Sequence, residues 1–284
     1  MKWFRTGAAL WLSAIGFLGL PTGASQASEL MERATAEGIR IGFFNFKPYA
    51  FTDENNNLVG TDVEILRHIL PKMGATISAA TAVEWSALIP GLKAGRFDVV
   101  AAGMFVTPAR CAEVQFTEPV FGIGQTLVVP KESDLLSVAN YEQVAEMGLS
   151  VAAITGTGSV GYLRAAGVPE DRIMQLPDSP SAIASVRAKR TQAFAISVPG
   201  AREIVRSVPE KDMAMTTVFS EVAGELAMPH GAFAFRPADK DFVDALNAQL
   251  AAFIGTPEHI KILESYGMEK NELPIRTTSE LCKG

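Results

Sequence analysis

The stretch Leu92-Lys93-Ala94-Gly95-Arg96-Phe97-Asp98-Val99-Val100-Ala101-Ala102-Gly103-Met104-Phe105-Val106-Thr107-Pro108-Ala109-Arg110, continuing from Cys111 to Pro119, decides the reading of this chain. A helix is predicted to end at Gly95, the residue type that best tolerates the left-handed turn after a helix. Val99 to Ala102 then reads as a strand that is apolar on both faces, as in a parallel sheet covered on both sides. The strand stops at Gly103. An aromatic ring (Phe105), a hydroxyl (Thr107) and a guanidinium (Arg110) follow it closely. Open α/β sheets bind small ligands outside the carboxyl ends of their strands. Arg110 is therefore read as a carboxylate clamp, because its planar fork makes two charge-assisted bonds to one carboxylate. Phe105 is read as one wall of the pocket. The alternative for Arg110 is a surface arginine in the first turn of a helix, where its charge opposes the helix dipole.

Outward from this stretch the pattern alternates. Upstream, Ile39 to Phe44 is an apolar strand, left through the loop Asn45 to Tyr49 and a polar turn at Asp53 to Asn57. Gly60-Thr61-Asp62 is predicted to cap a helix with Val63, Leu66, Ile69 and Leu70 on one face, stopped by Pro71. Ile77 to Ala80 is the second strand, and Glu84-Trp85 opens a helix carrying Leu88 and Leu92. Strand, helix, strand, helix, strand is a doubly wound unit. Downstream, Gln125 to Pro130 is a strand, and a polar segment with a helix follows in Lys131 to Met147. The alternation then restarts: strand Leu149 to Ile154, the turn Thr155-Gly156-Thr157-Gly158-Ser159 and a helix with Val160 and Leu163. Next come strand Arg172 to Leu176, helix Pro180 to Lys189, strand Gln192 to Ser197, helix Ala201 to Val208 and extended chain from Met213 to Phe219. Gly231 to Phe235 reads as a strand going back. Asp239 to Ile254 and Pro257 to Tyr266 are amphipathic helices, the second ended by Gly267. The expected fold is α/β, with two doubly wound lobes joined by two crossovers around a cleft. Residues 28–128 and 230–284 form lobe one, and residues 129–229, inserted in it, form lobe two. No internal sequence repeat is strong enough to indicate duplication.

With 284 residues, 48% hydrophobic and 20% charged, the chain can bury the core of one or two domains. Residues 1–27 read as a secretory signal. Lys2 and Arg5 are followed by an apolar run from Gly7 to Leu20 and by small residues, with Ser25-Gln26-Ala27 the expected cleavage site. That run is too short to span a bilayer comfortably. The formal charge is −6, and loss of Lys2 and Arg5 leaves the remainder more acidic. No basic patch is visible, which excludes nucleic acid and anionic membrane surfaces as partners. Cys111 and Cys282 are the only cysteines. In an exported chain such a pair is more often bridged than free, two reduced thiols being the alternative. No zinc-type spacing exists, and His68, His230 and His259 are far apart, so neither metal nor cofactor is expected.

Together with Gly91-Leu92, Gly95-Arg96-Phe97-Asp98, Thr107 and Arg110, this architecture resembles the solute-binding proteins of polar amino-acid ABC importers, over essentially all of the chain after the leader. The resemblance implies a two-lobed flytrap that closes on a small zwitterion and docks, as a monomer in the periplasm, onto an inner-membrane ABC permease. Within that superfamily the chain is most similar to the ectoine and hydroxyectoine binders. The features are Ala102-Gly103-Met104-Phe105, Thr107-Pro108, Arg110-Cys111, Phe116-Thr117-Glu118-Pro119 and the tail Thr277-Thr278 with Glu280-Leu281-Cys282. That subgroup's pattern implies a Cys111–Cys282 bridge and a ligand box filled by Tyr49, Trp85 and Phe105. The subgroup more often carries a phenylalanine and a tyrosine at the first two box positions. One departure concerns specificity. The family tends to place an acidic residue after the asparagine that follows the first strand, where it would pair with a ring N–H of ectoine. Here Asn45 is followed by Phe46. That change would favour a cation without N–H groups, such as a betaine or an N-methylated pyridinium.

Other residues carry chemistry of their own. Backbone N–H groups at the start of a helix favour an anion, so Thr157 and Gly158 are expected to meet, from lobe two, the carboxylate that Arg110 holds from lobe one. The turn lacks a phosphate-loop lysine, and an ordinary glycine turn is the alternative. Tyr49, Trp85 and Phe105 suit a diffuse cation, against the alternative of core packing. Ser197 ends a strand where relatives that bind α-amino acids place an aspartate for the ligand's ammonium. Without that partner the aromatic cage must serve, unless the register is shifted or Asp178 supplies the charge. Phe46, Asn45 and His230 are weaker candidates, each more simply read as core or solvated. Three functions are weighed: an importer's binding protein, a dehydratase-like enzyme on the same fold, and a sensing partner of a receptor kinase. No paired carboxylates and no histidine stand beside Arg110 to act as general acid and base, so the reading is a binding protein and not an enzyme.

Overall fold

A computed structural model describes residues 29–283, apart from 210–211, 220, 223–224 and 227. The predicted leader and its cleavage site lie outside the described residues. The strands that build the two main sheets are β1 (Ile39–Phe43), β2 (Ile77–Ala82), β3 (Val99–Val100), β4 (Gln115–Phe116), β5 (Gln125–Pro130), β6 (Val151–Ile154), β7 (Ile173–Leu176), β8 (Ala193–Ser197), β9 (Met213–Met215) and β10 (Ala234–Phe235). The first sheet has the order β2-β1-β3-β10-β4 and the second β7-β6-β8-β5-β9. In the first, β1 lies parallel to β2 and β3 while β10 runs antiparallel to β3 and β4. In the second, β6 is parallel to β7 and β8, and β5 is antiparallel to β8 and β9. These are the two α/β lobes that the alternation implies.

Each sheet is apolar because helices cover it. Ile41 and Val99 are paired in register and fully buried, packed in a core with Leu66, Phe235 and Leu246. In the second lobe Leu127, Val151 and Leu163 play the same part. Asp98, fully buried at the start of β3, receives Arg33 and Arg40, each through two guanidinium nitrogens, and also Arg236. Desolvation opposes its charge, but these hydrogen bonds prevail and hold its carboxyl well below the usual range. Removing one partner from such a network leaves buried charge uncompensated. Among the described residues no helix is long and apolar enough to cross a membrane.

One strand differs from the sequence reading. The expected strand Gly231 to Phe235 divides. His230–Gly231 pairs with Phe121–Gly122, whereas Ala234 pairs with Val100 and Phe116 in the first sheet. The chain changes sheets here, and two differently oriented sheets cannot share one straight strand. The run from Met213 to Phe219 is extended as expected: beyond β9, Thr216 N donates to the Leu127 carbonyl at 2.9 Å, the Thr216 hydroxyl accepts from Leu127 N at 3.1 Å, and Phe219 bridges Gln125 in antiparallel fashion. The expected cap Gly60-Thr61-Asp62 acts through its glycine. Gly60 occupies the N-cap of Thr61–Ile69, while the Asp62 carboxylate accepts from Gly103 N at 2.8 Å. Cys111 and Cys282 are bridged, with Cα atoms 5.7 Å apart.

Candidate ligand-binding site

Lobe one presents rings to the cleft. The chain leaves β1 through Phe46 and Tyr49, and Tyr49 lies against Gly103, where β3 has ended. Gly103 has φ 66°, and a Cβ there would come within 2.5 Å of the Tyr49 ring, so this approach requires glycine. Tyr49 is buried and its hydroxyl donates to Ser197 Oγ at 2.8 Å, across the cleft. Burial pushes the phenol pKa above its ordinary range. Trp85 donates from Nε1 to the Gly156 carbonyl at 2.9 Å, a second bond between lobes. Phe105 meets the start of the lobe-two helix, where a Cβ on Gly158 would lie 2.8 Å from its ring. Phe46, Tyr49, Trp85 and Phe105 thus surround a cavity closed by Thr157, Gly158 and the end of β8.

Arg110 stands in the short helix Pro108–Cys111, whose N-cap Thr107 accepts from Arg110 N at 3.3 Å. Its Nη1 donates to the Phe105 carbonyl at 2.8 Å and its Nη2 to the Gly156 carbonyl at 3.0 Å. The guanidinium carbon lies 5.6 Å from the centroid of the Trp85 ring. It does not itself line the enclosed cavity. Desolvation pushes its pKa down to about 10, so it stays charged at neutral pH. Among the described residues no carboxylate lies within ion-pair distance of it. A guanidinium has five N–H donors, and two neutral carbonyls leave donors to spare. A charge held in this way attracts an anion.

The lobe-two face is mostly backbone. β6 ends in a turn with Gly156 at φ 77°, and the helix Gly158–Ala165 begins directly after it. Thr157 Oγ1 donates to the Ile154 carbonyl at 2.8 Å, which points its hydroxyl proton away from any ligand. The group of this turn that faces Arg110 and Trp85 is the Gly156 carbonyl. The N–H groups of Gly158 and Ser159 open the helix, with no acceptor among the described residues. Ser197 lies at the end of β8 on the cavity wall. Asp178 caps the helix Ser179–Arg187, accepting from Ser181 N at 2.7 Å, and does not reach the cavity. None of the residues lining the cavity is a carboxylate.

Two weaker candidates fall outside. Asn45 Oδ1 accepts from Thr52 N at 3.1 Å on the surface. His230 is buried in the crossing strand; Nδ1 lies 2.6 Å from the Met228 carbonyl and Nε2 accepts from Ile275 N and Arg276 N at 3.0 and 3.2 Å. Burial pushes its pKa down, in keeping with a ring that must stay neutral to accept two backbone donors. Gln125, fully buried, accepts from Ser159 Oγ at 3.0 Å beneath the site. Sequence reasoning passed over it, although a glutamine opening an otherwise apolar strand was a signal.

Two α/β lobes with a small, ring-lined cavity at their strand ends, bridged by hydrogen bonds from one lobe to the other, define a two-lobed binding protein of the type II periplasmic class. Residues 39–269 match the family described as bacterial extracellular solute-binding proteins, family 3, and the chain belongs to that family. It is 30% identical over 261 residues to a probable amino-acid ABC transporter periplasmic-binding protein, y4tE, of Sinorhizobium fredii, covering 89% of this chain and 85% of that one. ABC transporter arginine-binding protein 1 of Escherichia coli is 24% identical, with 84% and 95% covered. Among solved structures, EhuB in complex with hydroxyectoine superposes with a TM-score of 0.79 at 26% identity, covering 90% of this chain and 98% of that one. An arginine-binding protein of T. maritima gives 0.71 at 26% identity, with 84% and 98% covered. The chain is thus a solute-binding protein of the amino-acid ABC importer type.

Proposed function

We propose that this protein captures a small carboxylate zwitterion, with ectoine or hydroxyectoine as the leading ligand, and delivers it to an inner-membrane permease. One observation carries the reading: four aromatic residues line a cavity without a carboxylate, and Arg110, which lacks an acidic partner, stands at its edge. Rings hold a delocalised cation by their faces. Arg110 supplies the carboxylate clamp, joined by the Gly158 and Ser159 N–H groups. Likeness to the hydroxyectoine complex supports the same ligand class. A second reading, a polar amino acid, is favoured by the arginine- and histidine-binding relatives. Against it, a primary ammonium would find no charged partner in this cavity. A betaine-type cation is the third, favoured by Phe46 in place of an acid.

The same reading has the chain exported through residues 1–27 and acting as a periplasmic monomer without catalysis. It divides the chain into two lobes hinged at the pair Phe121–Gly122 and His230–Gly231, with the first boundary moved from 128/129 to the start of β5. All of β5 goes with the second lobe, because both of its partner strands are there. A thermal-shift screen against ectoine, hydroxyectoine, glycine betaine, trigonelline and the twenty amino acids tests the ligand, since a tight binder raises the melting temperature by mass action. A shift with ectoines is expected. A shift with an amino acid alone would replace the first reading by the second.

A further inference from the structure

Phe46 borders two cavities. One is the aromatic box described above. The other is a wider, open cleft between the lobes, walled by Lys47 and Thr52 on one side and by Ile183, Gly200, Glu203 and Ile204 on the other. Among the described residues Phe46 is the only one common to both walls. The free volumes differ greatly, about 20 Å³ in the box against about 440 Å³ in the outer cleft. The smaller value is room for about one water. A ligand with a ring or a chain therefore needs the lobes to part or the Phe46 ring to turn.

The ring is seated, not loose. A Cβ on Gly200 of lobe two would lie 3.1 Å from Phe46 Cζ. Tyr49 and Phe44 flank it at centroid distances of 5.4 and 5.9 Å. Its backbone is held in a tight turn, with Phe46 N donating to the Ala50 carbonyl at 2.9 Å and its own carbonyl accepting from Tyr49 N at 3.0 Å. With the backbone fixed, side-chain rotation is the movement left to the partition.

We propose that Phe46 sets the length of ligand the site accepts. Its ring confines a compact zwitterion to the box. Without the ring, the box and the outer cleft form one continuous site that takes an extended zwitterion with a neutral, hydrogen-bonding tail. The charges of the outer cleft select against a cationic tail. Arg187 is paired with Asp212 and Glu203 with Arg206, which leaves Lys47, 5.1 Å from the Phe51 ring, to repel a cationic tail. Asn45, Thr52 and Ser207 offer the tail hydrogen bonds. This inference rests on the proposed function only for the location of the site.

The test exploits the tryptophans, which number three: Trp3, Trp11 and Trp85. In a chain carrying Trp3→Phe and Trp11→Phe, fluorescence comes from Trp85, inside the box. Phe46→Ala is expected to raise acrylamide quenching of Trp85 about threefold or more, because a close-packed wall is lost. By calorimetry it is expected to weaken ectoine about tenfold and to strengthen citrulline about tenfold or more relative to the parent chain, the range of pocket-filling changes. The ammonium of citrulline lacks a charged partner in both chains, so its cost cancels in the ratio. Gly200→Ala, which displaces the ring without deleting it, is expected to shift both readouts part of the way. Unchanged quenching in Phe46→Ala, or no gain for citrulline, overturns the partition. If the parent chain ignores ectoine while quenching and citrulline binding rise, the partition stands and the ectoine reading falls. If the parent binds ectoine and the variant gains nothing for citrulline, the reverse holds.

Discussion

The two faces of the cleft are built in opposite ways. Lobe one contributes Phe46, Tyr49, Trp85, Phe105 and Arg110, which come from separate stretches of chain and act through their side chains. One of these stretches is stapled by Cys111 to a tail that begins far along the chain. Lobe two contributes two strand ends, Ile154 to Ser159 and Ala195 to Ser197, and acts mostly through backbone. A face made of side chains is retuned by single substitutions. A face made of backbone sets the geometry of closure and rejects added bulk.

The largest expected effect concerns the staple. The bridge spans a sequence separation of 171. In the chain-entropy model, closing a loop of that order contributes about 5 kcal/mol. The paired variant Cys111→Ser with Cys282→Ser should lower the unfolding free energy by about that amount in urea titrations. Solute affinity should fall with it, because the helix bearing Arg110 loses its tie. Lost stability with intact affinity would show that the staple holds the lobe and not the clamp.

Next comes the floor beneath Tyr49. Burial pushes the Asp62 pKa up to about 7 from 3.8, so its contribution to stability is full below the lower value and lost as pH rises through the upper one. Asp62→Asn should flatten the melting temperature between these values and raise stability at pH 8, by no more than about 4 kcal/mol. An unchanged pH profile would mean that the carboxylate is relieved by some other contact.

For the side-chain face itself, Arg110→Ala should cost about 3 kcal/mol of ligand binding, roughly a hundredfold, measured by calorimetry. Arg110→Lys should recover part of it, since it restores charge without the fork. Trp85→Ala should cost about 1–2 kcal/mol through loss of one cage wall. Near wild-type affinity in both Arg110→Ala and Trp85→Ala would remove lobe one as the recognition face. The smallest effect tests lobe two. Gly158→Ala adds a Cβ 2.8 Å from the Phe105 ring. It should weaken binding by about 1 kcal/mol through overpacking, and small-angle scattering should show a wider mean opening. A loss as large as that of Arg110→Ala would erase the contrast between the faces.

Much of the fold was legible because it repeats a local signal. Apolar strands bounded by glycine, capped helices and their alternation recover both sheets, and Gln125–Pro130 matches its predicted span. Strand ends are also local, which is why Thr157, Gly158 and Ser197 could be picked out on the lobe-two face. The reading failed where a polar group has a distant partner. The cap at Gly60-Thr61-Asp62 was local and legible, but nothing nearby showed that the Asp62 carboxylate serves Gly103 N, 41 residues away. Gly231 to Phe235 looked like one strand, yet its two ends pair in different sheets.

Resemblance to a known family gave the class of this protein and the meaning of the missing aspartate; the chain's own pattern determined its two-lobed build, its aromatic residues at strand ends and the serine at position 197. These follow from periodicity and residue type, which act over a few neighbouring positions. Tertiary structure alone decided that Arg110 spans the cleft to the Gly156 carbonyl, that Tyr49 reaches Ser197, and that Phe46 rests at Gly200 between two cavities. A side chain's direction is set by the packing around it, and here that packing joins residues from 46 to 154 positions apart.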